Sequence, residues 1–166
     1  MKNNSLKRVF NAFISGILVS TCMSLPILNA NAAYTSGVKR YFNYNVGGNQ
    51  KYYYNYPTIY TGKNSSNQIY ASAALTIGSN DGHQLIAGEV GVYPILYNSS
   101  GAIVHQLPGF VYNPTGGITS FYDYAYTTSV VNGNYYYSKG ISAVYVGTTD
   151  YALQVSSASP LLGNFT

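Results

Sequence analysis

Gln68 to Ile77 reads QIYASAALTI, and its side chains separate with period two. Ile69, Ala71, Ala73, Leu75 and Ile77 fall on one side, and Gln68, Tyr70, Ser72, Ala74 and Thr76 on the other. Successive side chains of an extended chain point to opposite faces, so this pattern marks a half-buried strand. Within residues 34–166 apolar residues do not recur at three- and four-residue spacing with good helix formers between them. The chain is instead rich in Tyr, Thr, Val, Ser, Asn and Gly, a composition suited to strands joined by tight turns.

Asn132 to Val155 repeats the pattern in compact form. An Asn132-Gly133 turn leads to Tyr135–Tyr137, a break is expected at Lys139-Gly140, and an alternating strand follows over Ile141–Val146. Elsewhere, strands are expected over 38–44, over 52–61 with Pro57 at an edge or irregularity, and over 118–131. Leu85 to Tyr97 reads as a central strand covered on both faces and kinked near Pro94, followed by a hairpin onto 102–107. An apolar tail from Pro160 is expected to tuck against the sheet. Turn signals spaced roughly eight to twelve residues apart predict a single all-β domain, an antiparallel β-sandwich or barrel of about seven to nine strands.

Residues 1–33 read as a secretory signal peptide, with 34–166 as the exported domain. Lys2, Lys7 and Arg8 precede a mostly apolar run from Val9 to Leu28, Pro26 breaks it, and Ala30-Asn31-Ala32-Ala33 offers small residues for cleavage after Ala32 or Ala33. Lipidation at Cys22 is an alternative, although Thr21 departs from the small residue usual before a lipid-bearing cysteine. Cleavage would leave a secreted protein with no stable membrane anchor, extracellular or associated with the cell wall.

Removal of the leader changes the chemistry on offer. Lys39, Arg40, Lys51, Lys63 and Lys139 then face Asp81, Glu89, Asp123 and Asp150, a balance of five against four that argues against nucleic acid as a partner. Cys22 leaves with the leader, so no disulfide framework is expected. His83 and His105 lie too far apart in sequence for a compact zinc motif, and no metal or other cofactor is expected. Glu89 is read as a solvent-facing acid on a partly exposed strand. His83 is placed in an Asp-Gly turn, and Asp81, Asp123 and Asp150 in turns or on exposed faces. No nucleophile elbow, phosphate loop or calcium loop is present, and the expectation is a protein without enzymatic activity.

Tyrosine is the functional signal. Its ring offers apolar area at small entropy cost and its hydroxyl a hydrogen bond, a combination favoured in binding surfaces. In Tyr52, Tyr53, Tyr54 and Tyr56, and in Tyr135, Tyr136 and Tyr137, alternation forces at least one ring of each cluster outward. These seven tyrosines and Lys139 are the candidate ligand contacts, for a cell-wall polysaccharide or a surface protein. Stabilisation of the sheet by cross-strand pairs is the competing role.

The lysine-led leader, the Ala-x-Ala site and the Asn/Tyr/Ser/Gly-rich body resemble small secreted proteins of Gram-positive bacteria in general organisation. TTSVVNGNYYYSKG, residues 127–140, resembles the ending of secreted bacteriocins of the lactococcin 972 type, without their tryptophans. That resemblance implies an alternative function, a toxin-like antagonist acting on bacterial envelopes.

Overall fold

The computed structural model describes residues 32–147 and 149–163, so the expected leader, apart from its last two residues, and Cys22 within it lie outside the described part. Within it the chain folds into two packed antiparallel sheets, with no helix. The first contains β1 (Ala33–Ser36), β2 (Arg40–Val46), β3 (Asn49–Lys63), β4 (Ile69–Ser79) and β8 (Ser120–Thr127). The second contains β5 (Val90–Asn98), β6 (Ile103–Gln106), β7 (Val111–Tyr112), β9 (Tyr135–Gly147), β10 (Asp150–Val155) and β11 (Leu162–Gly163). The sandwich expected from alternation is present. Nine strands have four or more residues, and β7 and β11 have two each.

Long strands carry both sheets, and shorter strands lie end to end along their edges. β1 and β2 share one edge of β3, β6 and β7 one edge of β5, and β10 and β11 one edge of β9. Prolines fall at two of the joins. Pro57 lies between the last pair with β1, Ser36↔Thr58, and the first with β2, Arg40↔Asn55; its carbonyl accepts from the Gly37 N–H at 2.9 Å. Pro94 lies between the β7 and β6 pairings in the same way, opposite Gly140. A proline has no N–H to offer a ladder, so a gap between neighbouring strands accepts it without loss. β11 supplies the tucked tail.

Four boundaries differ from the sequence expectation. The strand expected over 38–44 is β2, shifted to Arg40–Val46, and a separate β1 precedes it, because 37–39 leaves the ladder where Pro57 cannot donate. Leu85–Glu89 is a loop with a single bridge, Leu85↔Ile118, so β5 starts only at Val90. β8 ends at Thr127 rather than at 131. The break at Lys139-Gly140 does not occur, and β9 runs through it. Serine hydroxyls complete the ladder there: Ser156 Oγ accepts from the Gly140 N–H at 3.0 Å and Ser159 Oγ from the Ser138 N–H at 2.9 Å.

The core divides into two apolar clusters. Tyr53, Leu75, Ile77, Leu85, Val90, Val92 and Val144 form one, and Ile59, Ala71, Ala73, Leu96 and Tyr136 the other. Between them the long strands place Asn55, Pro57, Pro94, Ser138, Gly140 and Ser142. Hydrogen bonds cross from sheet to sheet here, from Asn55 Nδ2 to Ser142 Oγ at 2.7 Å and from Ser138 Oγ to the Ala74 carbonyl at 3.0 Å. Gly140 is needed for the close approach: a Cβ there would lie 2.5 Å from the Tyr93 carbonyl oxygen and 2.9 Å from Leu75 Cδ2. Gly140→Ala is therefore expected to destabilise the domain by about 1–3 kcal/mol, the usual cost of overpacking. A lowered midpoint in urea denaturation at unchanged slope would show it.

Candidate functional site

Alternation gives the first sheet two faces of different character. The residues of β4 that turn away from the core are Tyr70, Ser72, Ala74 and Thr76, and strand register sets their neighbours. One row reads Tyr34–Tyr60–Ser72–Tyr126, the next Ser36–Thr58–Ala74–Tyr124, and the third Tyr56–Thr76–Tyr122. Each row sets a small residue of β4 beside a tyrosine of β8, and in the outer two rows a tyrosine of β3 stands on its other side. The result is a trough along β4 of about 430 Å³, floored by Ser72, Ala74 and Thr76 and walled by aromatic rings.

The trough contains rings and hydroxyls, and no charged side chain lines it. Tyr34 packs on Tyr60 with centroids 5.8 Å apart, Tyr70 on Tyr126 at 5.3 Å, and Ser36 and Thr58 share a hydroxyl–hydroxyl hydrogen bond of 2.8 Å. Burial pushes the phenols of Tyr60, Tyr70 and Tyr124 above their ordinary value, which keeps them neutral donors. Tyr54 crosses Gly78 beyond the third row, stacks on Tyr56 at 6.1 Å and lies under the Lys39 ammonium at 4.3 Å.

The sequence-nominated residues are dispersed. Tyr56 lines the trough and Tyr54 lies beyond the third row, but Tyr53 and Tyr136 are buried in separate core clusters. Tyr52 and Tyr135 are exposed outside the trough. Tyr137 stacks on Tyr97 at 5.0 Å on the second sheet, where Lys139 pairs with Ile95. Tyr34, Tyr60, Tyr70, Tyr122, Tyr124 and Tyr126 were not nominated. Spacing of two, visible in Tyr122-x-Tyr124-x-Tyr126, is the signal that collects rings on one face; consecutive tyrosines are split between faces.

A second cluster surrounds Glu89, which is 1% exposed and not the solvent-facing residue expected. Its Oε1 accepts from Lys51 Nζ at 2.9 Å and the Tyr53 hydroxyl at 2.8 Å, with His83 Nε2 at 3.2 Å; Oε2 accepts from the Ile86 N–H at 2.9 Å. His83 Nδ1 is hydrogen-bonded in turn to Asp81, which also accepts from the Tyr52 N–H at 3.1 Å. Glu89 lies in the loop before β5, and burial is tolerated because protein donors serve both its oxygens. Desolvation works to raise both carboxyls, but hydrogen bonds outweigh it. Those from Ile86, Lys51 and Tyr53 hold Glu89 below its usual value, and those from His83 and Tyr52 do the same for Asp81. The acids and the imidazole are strung in series, and among the described residues no group of His, Cys, Asp and Glu converges as a metal site. This network ties the 80–89 loop to β3.

Asp123 is half-buried within β8, on the same side of that strand as the buried Ala125, rather than in a turn or on an exposed face. Burial raises its carboxyl, although the Tyr124 N–H bond at 2.7 Å opposes this.

Comparison with protein-family models, with curated proteins and with solved structures gives no match for this chain.

Two pH effects follow from the carboxyls. Asp81 and Glu89, with depressed folded values, contribute stability that is complete above the unfolded carboxylate range near 4 and is lost as the pH falls below it. Denaturation midpoints measured from pH 7 to 3 should fall less steeply in Glu89→Gln than in wild type, from a lower starting value. Asp123 has the opposite sign: its raised folded value costs stability as the pH rises through the carboxyl range. Asp123→Asn, which keeps an acceptor for the Tyr124 N–H, should raise the midpoint at pH 7 and leave it unchanged at pH 3.

Proposed function

We propose that this chain is a non-enzymatic binding domain, acting outside the cell, that holds a neutral cell-surface polysaccharide along the trough on β4. The observation that carries the reading is the lining itself: seven tyrosine rings, Tyr34, Tyr56, Tyr60, Tyr70, Tyr122, Tyr124 and Tyr126, over a floor of Ser72, Ala74 and Thr76, with no charge among them. Sugar rings present apolar C–H faces edged by hydroxyls. Tyrosine rings match the faces, and phenol and Ser/Thr hydroxyls match the edges. A protein partner would bring charged groups, for which the trough offers only the Lys39 ammonium, 5.4 Å from the Tyr56 ring at one end, and their burial without a partner would be costly. The leader read in residues 1–33 supports the extracellular setting.

Retention on purified, insoluble cell-wall glycan tests the reading. Wild type should be retained before and after protease treatment of the walls. Tyr122→Ala, which removes a 54% exposed ring and little core packing, should bind about tenfold more weakly, the effect of about 1.4 kcal/mol. Tyr137→Ala on the opposite sheet should bind as wild type. Retention abolished by protease treatment would point to a surface protein instead, and killing of indicator cells would favour the antagonist.

A further inference from the structure

The trough ends at Tyr70, and the end is built unlike the rest. Tyr70 crosses its cross-strand partner Gly62, where a Cβ would meet the ring and hydroxyl at 3.3 Å. The side chain is wholly buried, yet among the described residues its hydroxyl has no hydrogen-bond partner. Buried hydroxyls are nearly always paired, because one left unpaired costs the fold the full desolvation of that group. Phenylalanine would fill the same space without that cost. The Tyr126 ring packs on Tyr70 at 5.3 Å, and its own hydroxyl accepts from Asn64 Nδ2 at 3.1 Å, which brings the β3–β4 hairpin loop to this end.

We propose that the Tyr70 hydroxyl is the polar anchor of the trough and bonds a hydroxyl at the terminus of a neutral polysaccharide chain, so that the domain selects chain ends over chain interiors. The inference rests on the polysaccharide reading. Tyr70 stands at the head of the trough with the Tyr126 ring packed on it, so a sugar chain lying along Ser72, Ala74 and Thr76 meets it end-on. The hydroxyl has no exposed surface in the free domain, so pairing with the terminal sugar requires the Tyr126 ring, packed on Tyr70 at 5.3 Å, to turn aside. An unpaired hydroxyl kept in the free protein then gains its partner on binding, which adds discrimination against any end lacking a hydroxyl.

Tyr70→Phe and Tyr122→Ala, compared with wild type on cell-wall glycan and on soluble fragments of it sorted by length, test the proposal. Tyr70→Phe should bind about tenfold more weakly with a melting temperature equal to or above that of wild type, whereas a merely structural role would leave binding unchanged. Fragments of different length should compete equally per mole of chain, as end recognition requires; competition that rises with length would overturn the selection of ends. Wild-type binding by Tyr70→Phe, with Tyr122→Ala weakened, would overturn the anchor and leave the polysaccharide reading standing. Absence of binding by wild type would overturn both.

Discussion

The ladder between β3 and β4 is the constraint on which the rest depends. It runs without interruption through eleven residue pairs, from Tyr53↔Ser79 to Lys63↔Ile69. In this register Ile59, Ala71, Ala73, Leu75 and Ile77 face the second sheet, while Tyr56, Tyr60, Ser72, Ala74 and Thr76 face outward. A slip of one residue would exchange the two sets, turning tyrosines and hydroxyls into the core and leucine and isoleucine to solvent. The apolar cost of that exchange pins the register, and the pinned register builds the trough. Core and candidate site are two faces of one pairing.

The edges show how a chain without disulfides among its described residues keeps long strands in line. Central strands of 15, 11, 9 and 13 residues carry each sheet, and pairs of short strands share their outer edges. Each join is covered by chemistry suited to it: Pro57 and Pro94 where no N–H is wanted, and Ser156 and Ser159 where a hydroxyl substitutes for a carbonyl. Three strand glycines, Gly62, Gly78 and Gly91, are crossed by the tyrosines opposite them, Tyr70, Tyr54 and Tyr112. An aromatic ring laid across a glycine restores the contacts that the missing side chain would have made. Much of the tyrosine content therefore serves the sheets, and the trough uses the part that faces outward along β3 and β8.

Period-two alternation and turn dipeptides made the fold class legible, because both are local. The halves of β4 separated as Gln68–Ile77 predicts, and Asn132-Gly133 is a turn whose glycine adopts positive φ. What stayed hidden depends on partners distant in sequence. Glu89 looked exposed because Lys51 and Tyr53, its donors, are brought to it only by folding. Gly140 looked like a break because the serines that complete its ladder come from the far side of β10. The candidate site suffered most. Tyr135–Tyr137 drew attention as a dense cluster, but a strand divides consecutive rings between faces, so Tyr136 went to the core. The rings that share a face lie on β1, β3 and β8, and no short stretch of sequence holds them together.

The most direct measurement is an amide chemical-shift titration of the isotope-labelled domain with a soluble neutral oligosaccharide from the cell wall. If the outward face of the first sheet is the site, the perturbed residues should cluster at 56–60, 70–76 and 122–126 and form one continuous surface. The Tyr97–Tyr137 face of the second sheet should be silent. Shifts centred on Tyr137 and Lys139, or no shifts at all across a range of neutral glycans, would contradict the account.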